Sequence, residues 1–370
     1  MECGGMFDLA DFLFYRHLSR RFGRRKLNEM IRWVVVILIV LYLLKIYWDN
    51  RPTYIIDHDF ANIVPGPSSA SVLAKECSNY TKVCYGVMDY AEDEVGLRVR
   101  RVLYVKGFEK EVDTMISLIP PVGRSFKDSD TRFWKINHTD LGTQYVAVLS
   151  VLPFVLGSVP ALSNTDGSAK LFVLGLGGGS LDMFFHTLRP QVMGKWQIDV
   201  YELDPLVASF AHKWFGVVDD EKRKTHIQDG LIALDNAAKQ NKKFDVLIID
   251  ACDSDPIRPC PANNFLQLEH LQNMKSILNP TGCLLLNVLV LDEERRDEMV
   301  SSIEQQLLSR FSTCFTLKMS IEDNAIIACL PFALEPSTAE ATKIMYKDQL
   351  NNILKKFAFN FDDQLHQQLT

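Results

Sequence analysis

From Lys170 to Leu330, apolar runs of strand length alternate without a break with stretches of helical period. Strict alternation leaves few architectures open. Parallel neighbours need a crossover, the crossover is a helix, and the product is a doubly wound α/β sheet with helices on both faces. The expected strands are KLFVLGL (170–176), WQIDVYEL (196–203), KTHIQ (224–228), FDVLIID (244–250) and CLLLNVL (283–289). Helices are expected over 180–189, 205–215, 231–240, 264–277 and 293–309, the second opened by Pro205. CFTLKMS (314–320) and NAIIACL (324–330) read as a hairpin-like closing pair.

Upstream the period changes. Residues 72–106 alternate apolar and polar positions between turn signals, which predicts two or three antiparallel strands in a small β subdomain over 72–140. The core is expected over 141–335. It opens with an apolar stretch of helical length, 145–156, in which Pro153 favours an early end. A turn-rich linker (49–71) precedes these domains, and a helix with a tail (336–370) follows them.

Ahead of the linker lies RWVVVILIVLYLLKIYW (32–48), which reads as a transmembrane signal anchor. From Trp33 to Trp48 a helix would rise roughly 24 Å, somewhat short of a hydrocarbon core of about 30 Å. Trp33 at one end and Tyr47 and Trp48 at the other suit the two interfaces. The basic arm before it (1–31), with Arg32, carries seven Lys/Arg, whereas only Lys45 and Arg51 follow closely. That asymmetry predicts a single-pass type II protein with its catalytic domain in the lumen of the endoplasmic reticulum or Golgi. Asn79-Tyr80-Thr81 and Asn137-His138-Thr139 are glycosylation sequons, and Cys77 and Cys84 flank a turn that a hairpin disulfide would close. Cys3, Cys252, Cys260, Cys283, Cys314 and Cys329 show no metal-ligand spacing, so no metal site is expected. A net charge of −6 argues against a general nucleic-acid binder.

In a doubly wound sheet the ligand sits beyond the carboxyl ends of the strands, after the first of them. Gly175, Gly177, Gly178 and Gly179 occupy that turn, where glycine permits positive φ and a close approach to bare peptide. Glu202 ends the second strand, placed to accept hydrogen bonds from a ribose. Asp229 and Gly230 end the third, where an acid can accept from an adenine amino group. Asp250, Asp253 and Asp255 end the fourth. Carboxylates in register along one rim suit the cationic sulfonium of S-adenosyl-L-methionine better than a pyrophosphate.

These blocks together, LGLGGGSL, VYELDP, ASFAHKWFG, HIQDGL, FDVLIIDACDSDP and LNPTGCLLLNVL, resemble the spermidine-synthase-like class I methyltransferases. Within that family they are most similar to the branch acting on elongation factor 1A. The resemblance covers roughly 170–330. It implies a Rossmann-like core in which Gly175, Gly177 and Gly179 wrap the methionine part of the cofactor, Glu202 holds the ribose, Asp229 and Gly230 the adenine, and Asp250 lies near the sulfonium. A homodimer is left open. Three departures weaken a polyamine-synthase reading. The glycine turn continues with Ser180-Leu181 where those enzymes carry an acid. The loop after Asp250 is two residues longer before its Asp-Pro. No counterpart of their Tyr- and His-rich segment precedes the core.

The expected chemistry is methyl transfer to an amine, of a protein or a small acceptor. Positioning dominates such a displacement, and a rim carboxylate orients the amine and takes its proton. Asp253 and Asp255 are the candidate catalytic residues, their alternative role being to cap the loop; Trp134 and Tyr145 are candidates to line the acceptor site. Two other readings stay open: a membrane-tethered binding module on an inherited fold, and an aminopropyltransferase.

Overall fold

The computed structural model describes residues 32–34, 36–42, 70–106, 112–159, 168–188, 195–319, 322–334, 348–349 and 351–353. The chain divides into two compact units, Met1–Thr53 and Tyr54–Thr370. In the first, the described residues are helical, with exposed apolar side chains at Trp33 and Val34 and from Val36 to Tyr42. Among the described residues no helix is long and apolar enough to cross a membrane. The anchor expected over 32–48 is therefore not supported as a spanning helix, and its last six residues lie outside the described ones.

The second unit holds two sheets. The smaller is a five-stranded antiparallel meander in the order β1-β2-β3-β4-β5. Its strands are Ala70–Cys77, Cys84–Ala91, Val99–Val105, Val112–Ile119 and Lys135–Leu141. It has two strands more than the period-two pattern predicts at most. β4 and β5 escape that pattern because β5 is mostly polar, with only Ile136 and Leu141 apolar, and β4 carries a bulge. Between Thr114, opposite Leu103, and Val112, opposite Tyr104, the residue Asp113 is left over.

The larger sheet has seven strands in the order β11-β12-β10-β9-β6-β7-β8. They are β6 (Ser168–Leu174), β7 (Lys195–Glu202), β8 (Arg223–Ile227), β9 (Phe244–Ile249), β10 (Leu278–Leu289), β11 (Thr313–Lys318) and β12 (Asn324–Leu330). β6 to β10 are mutually parallel, as the alternation predicts. β12 runs antiparallel to both β10 and β11, so the sheet is mixed. The reason is local: β11 and β12 are joined by a short hairpin, which can connect only antiparallel strands.

Both faces are buried. Along β6, Leu171 and Val173 point into one core, shared with α1 (Gln144–Val155), α2 (Ser180–Thr187) and α3 (Pro205–Trp214). Phe172 and Leu174 point into the other, covered by α4 (Gly230–Lys239), α5 (Leu268–Ile277) and α6 (Arg296–Leu308). α1 runs through Pro153, and all its residues are buried. Each buried Leu, Val or Phe contributes about 1.5–3 kcal/mol, so the helix outweighs the ~3 kcal/mol that an internal proline costs. Asn279-Pro280-Thr281-Gly282, whose turn residues read as the end of the helix over 264–277, belong instead to the start of β10.

The sheets are locked together beside the end of β7. Asp204 caps α3 through Leu206 N, at 2.9 Å, and also accepts from Ser78 Oγ at 2.8 Å and from Thr81 Oγ1. Ser78 and Thr81 sit in the β1–β2 turn, which the Cys77–Cys84 disulfide closes. Arg101, 2% exposed on β3, makes two 2.7 Å bonds to Asp89 and donates to Trp214 O at the end of α3.

Candidate functional site

The glycine turn leaves β6 at its carboxyl end. Gly175, Gly177 and Gly179 have φ of +96°, +52° and +75°, the left-handed region expected for them. Protein packing demands glycine here as strictly as the backbone does. A Cβ at Gly175 would lie 2.3 Å from Asp250 O, and one at Gly178 would meet Thr114 and Phe215 at 2.7 and 2.8 Å. Besides any ligand, β4 of the smaller sheet leans on the turn. Gly178 N donates to Thr114 Oγ1 at 2.8 Å, and a Cβ at Gly177 would lie 2.8 Å from Asp113 Oδ2.

Three further donors of the turn are engaged. Gly175 N donates to Tyr201 O (3.0 Å), Leu176 N to Glu202 Oε2 (3.1 Å) and Gly179 N to Leu176 O (2.8 Å). Few N–H groups are left to receive a pyrophosphate, the ligand that a dinucleotide fold presents to this position.

Glu202 stands at the last position of β7 and is 9% exposed. Its Oε1 accepts from Asp204 N at 2.8 Å, which with the bond from Leu176 fixes the carboxylate beside the turn. Burial pushes its carboxyl up to about 7, against the lowering effect of those two bonds. Asp250 follows β9 and accepts from Asn287 Nδ2 at 2.7 Å; Asn324 Nδ2 in turn holds Asn287 Oδ1 at 2.9 Å. Burial raises Asp250 to about 7, with the negative charge of Asp113 adding to the effect. Asp113 keeps solvent access at its bulge while protein packs round it, the setting of a group lining a cleft, and desolvation lifts its carboxyl to about 6. Tyr145, buried at the start of α1, is raised well above its ordinary value by burial and then by Asp250, Asp113 and Glu322. No cation acts on Asp113, Glu202 or Asp250 among the described residues. Three carboxyls without a counter-charge, at one turn, are suited to a positively charged ligand.

The remaining expected residues fall on the same rim. Asp229 caps α4 through Leu231 N (2.8 Å), with Gly230 as the first helical residue. Next to these acids stand exposed apolar side chains, Leu203 after Glu202 and Ile227 opposite it in register. Asp253 and Asp255 lie in the loop after β9, and both are engaged within it. Asp253 accepts from Asp255 N (2.9 Å) and Asn263 N (3.0 Å), and Asp255 from Ile257 N (2.8 Å) and Arg258 N (3.0 Å). Hydrogen bonds from these backbone groups hold Asp255 below its ordinary carboxyl value. The Cys252–Cys260 disulfide closes this loop, and Leu289 N → Cys260 O (3.0 Å) fastens it to β10. Trp134 is buried in the core of the smaller sheet. Among the described residues no group of side chains is placed to hold a metal ion.

Sequence reasoning missed Asp113, Asn287 and two of the three disulfides among the described residues, Cys252–Cys260 and Cys314–Cys329. Asn287 left a signal: an amide in the middle of the apolar run CLLLNVL needs a buried partner. Asp113 left none, because its strand is remote from the glycines and only tertiary packing joins them.

A composite of glycine turn and rim carboxylates invites comparison with known proteins. Residues 155–321 match the Spermine/spermidine synthase domain family. The chain is 31% identical over 191 residues to the eEF1A lysine and N-terminal methyltransferase of Xenopus laevis, and 32% identical over 200 residues to that of Homo sapiens. These alignments cover 51% and 52% of this chain, which spans only 26% and 27% of those relatives. A probable spermidine synthase from Corynebacterium glutamicum shares the fold, with a TM-score of 0.51 at 14% identity over 77% of this chain and 93% of that one. Residues 155–321 thus form a spermidine-synthase-like domain on a Rossmann-like α/β fold with a mixed sheet, and about half of the chain is similar in sequence to the eEF1A lysine and N-terminal methyltransferases.

Proposed function

We propose that the chain is an S-adenosyl-L-methionine-dependent methyltransferase whose acceptor is an amine on a protein. The observation that carries this reading is the glycine turn flanked by Asp113, Glu202 and Asp250, with no cation among them and with most turn N–H groups already engaged. That donor set fits a cationic adenosyl ligand. Glu202 would hold the ribose hydroxyls, Asp229 the adenine amino group, and Leu203 an adenine face. The cofactor supplies a methyl carbon activated by positive sulfur. The protein's own task is then to orient the amine on that carbon's far side, exclude water and remove a proton. Asp250, held near neutrality by burial, is suited to take that proton, whereas Asp253 and Asp255, fixed in the loop, would steer the incoming ammonium by charge. The homologous enzymes are named for methylating lysine and amino-terminal groups, both of them amines.

The deciding experiment is calorimetric titration of the full chain with S-adenosylmethionine, decarboxylated S-adenosylmethionine and NAD. Tight binding of the first alone is expected. Silence with all three from a folded protein overturns the reading in favour of a tethered binding module. Aminopropyl transfer draws on one observation, the carboxylate of Asp113 beside Gly177, which disfavours the cofactor's own carboxylate. Preference for the decarboxylated form would select it.

The membrane anchor over 32–48 and a lumenal active domain belong to the same proposal. Three disulfides support an oxidising compartment, and Asn79 is exposed in the β1–β2 turn. Loss of mass on deglycosylation of the protein from cells is the expected result; no shift would count against lumenal placement.

A further inference from the structure

Resting on the adenosylmethionine reading above, we propose that Asp113 is the seat of the cofactor's ammonium group, delivered to the glycine turn from the smaller sheet. Four observations converge on it.

The turn itself holds no free acid. Asp182, the first carboxylate after the glycines, is buried and paired with the buried Arg223. Asp113 fills that lack in space: its Oδ2 would lie 2.8 Å from a Cβ at Gly177, so only the absence of a side chain there admits it. Its position is fixed from both sides. Thr114 Oγ1 accepts from Gly178 N at 2.8 Å, which pins β4 to the turn, while Arg101, on the neighbouring β3, ties the smaller sheet to α3. Lastly, Asp113 is the extra residue of the β4 bulge. A bulge breaks the alternation of a strand and re-aims one side chain, and here the re-aimed side chain is the carboxylate.

The groups facing Asp113 are Thr114 beside it, Tyr85 from β2, Glu202 from β7, Tyr145 from α1 and Asp250 from the end of β9. Among the described residues none of these groups carries positive charge. A carboxylate so placed lacks a partner that only a ligand cation supplies, and an ammonium in reach of its oxygens meets that need with a charge-assisted hydrogen bond.

Two neutral-sulfur ligands separate the outcomes. S-adenosylhomocysteine carries the ammonium, whereas 5′-methylthioadenosine has the same adenosine and thioether without it. Both are titrated into the full chain, wild type and Asp113→Asn, on single preparations. The ratio of the two affinities is then independent of the folded fraction. In the wild type, S-adenosylhomocysteine should bind more tightly. In Asp113→Asn its affinity should fall roughly tenfold or more while that of methylthioadenosine holds. Asp113→Glu, which keeps the charge, should preserve most of the wild-type ratio. Unchanged or tighter binding of S-adenosylhomocysteine to Asp113→Asn overturns the assignment and leaves the cofactor reading standing. Failure of the wild type to bind either ligand overturns both.

Discussion

Glu202 does two jobs, and its substitution should separate them. Its oxygens hold Leu176 N and Asp204 N, and they stand where a ribose would lie. Glu202→Ala is expected to lower adenosylmethionine affinity at least tenfold and to destabilise the fold by about 1–3 kcal/mol, since two buried N–H groups lose an acceptor. Asp229→Ala should weaken binding too, with a smaller stability loss of about 1 kcal/mol from the lost α4 cap. Calorimetry and thermal melts on the two variants check both statements; wild-type affinity in either would remove that residue from the site. In Asp255→Asn the amide oxygen can keep both backbone bonds while the charge is deleted, whereas Asp253→Asn keeps only one of its two, because Asp253 accepts through both oxygens. If these acids steer the amine, the acceptor KM rises and cofactor affinity stays the same; unchanged kinetics would confine them to holding the loop.

At the level of elements, the loop after β9 is braced by the Cys252–Cys260 disulfide and the β11–β12 hairpin by Cys314–Cys329. Chain-entropy arguments assign such short closures about 2–3 kcal/mol each. Replacing the first pair by serine should therefore lower Tm by several degrees and depress turnover, because the loop carries Asp253 and Asp255. Replacing the second should lower Tm alone. Equal activity losses in both would show a general loss of fold. These pairings were hidden in the sequence because separations of 8 and 15 residues carry no signal by themselves. Cys314 and Cys329 become neighbours only when β11 and β12 pair in register.

Across the whole molecule, the cluster of uncompensated carboxyls makes the ligand-free fold sensitive to pH. Glu202 and Asp250 are raised to about 7 and Asp113 to about 6. A carboxyl raised on folding binds protons more readily in the folded state, so stability falls as pH rises from the unfolded value through the folded one. His138 opposes this only at lower pH: burial depresses it to about 4, so its destabilising effect sets in as pH drops below its ordinary 6.5. Between pH 8 and 6.5 the carboxyls act alone. Melting of the ligand-free protein is expected to move up by a few degrees on going from pH 8 to 6.5, with a flatter profile in Asp250→Asn. A Tm that declines over that interval would contradict the electrostatics of the site. The alternation of apolar strands and amphipathic helices determined the parallel core by itself, because each period admits one way to bury its face. It also placed the glycines, Glu202, Asp229 and Asp250 at one rim, since strand ends in such a sheet are coplanar. Tertiary structure alone decided the five-strand meander, two of the disulfides and the arrival of Asp113 at Gly177. Those depend on contacts between segments far apart in the chain, where neither period nor spacing records which surfaces will meet.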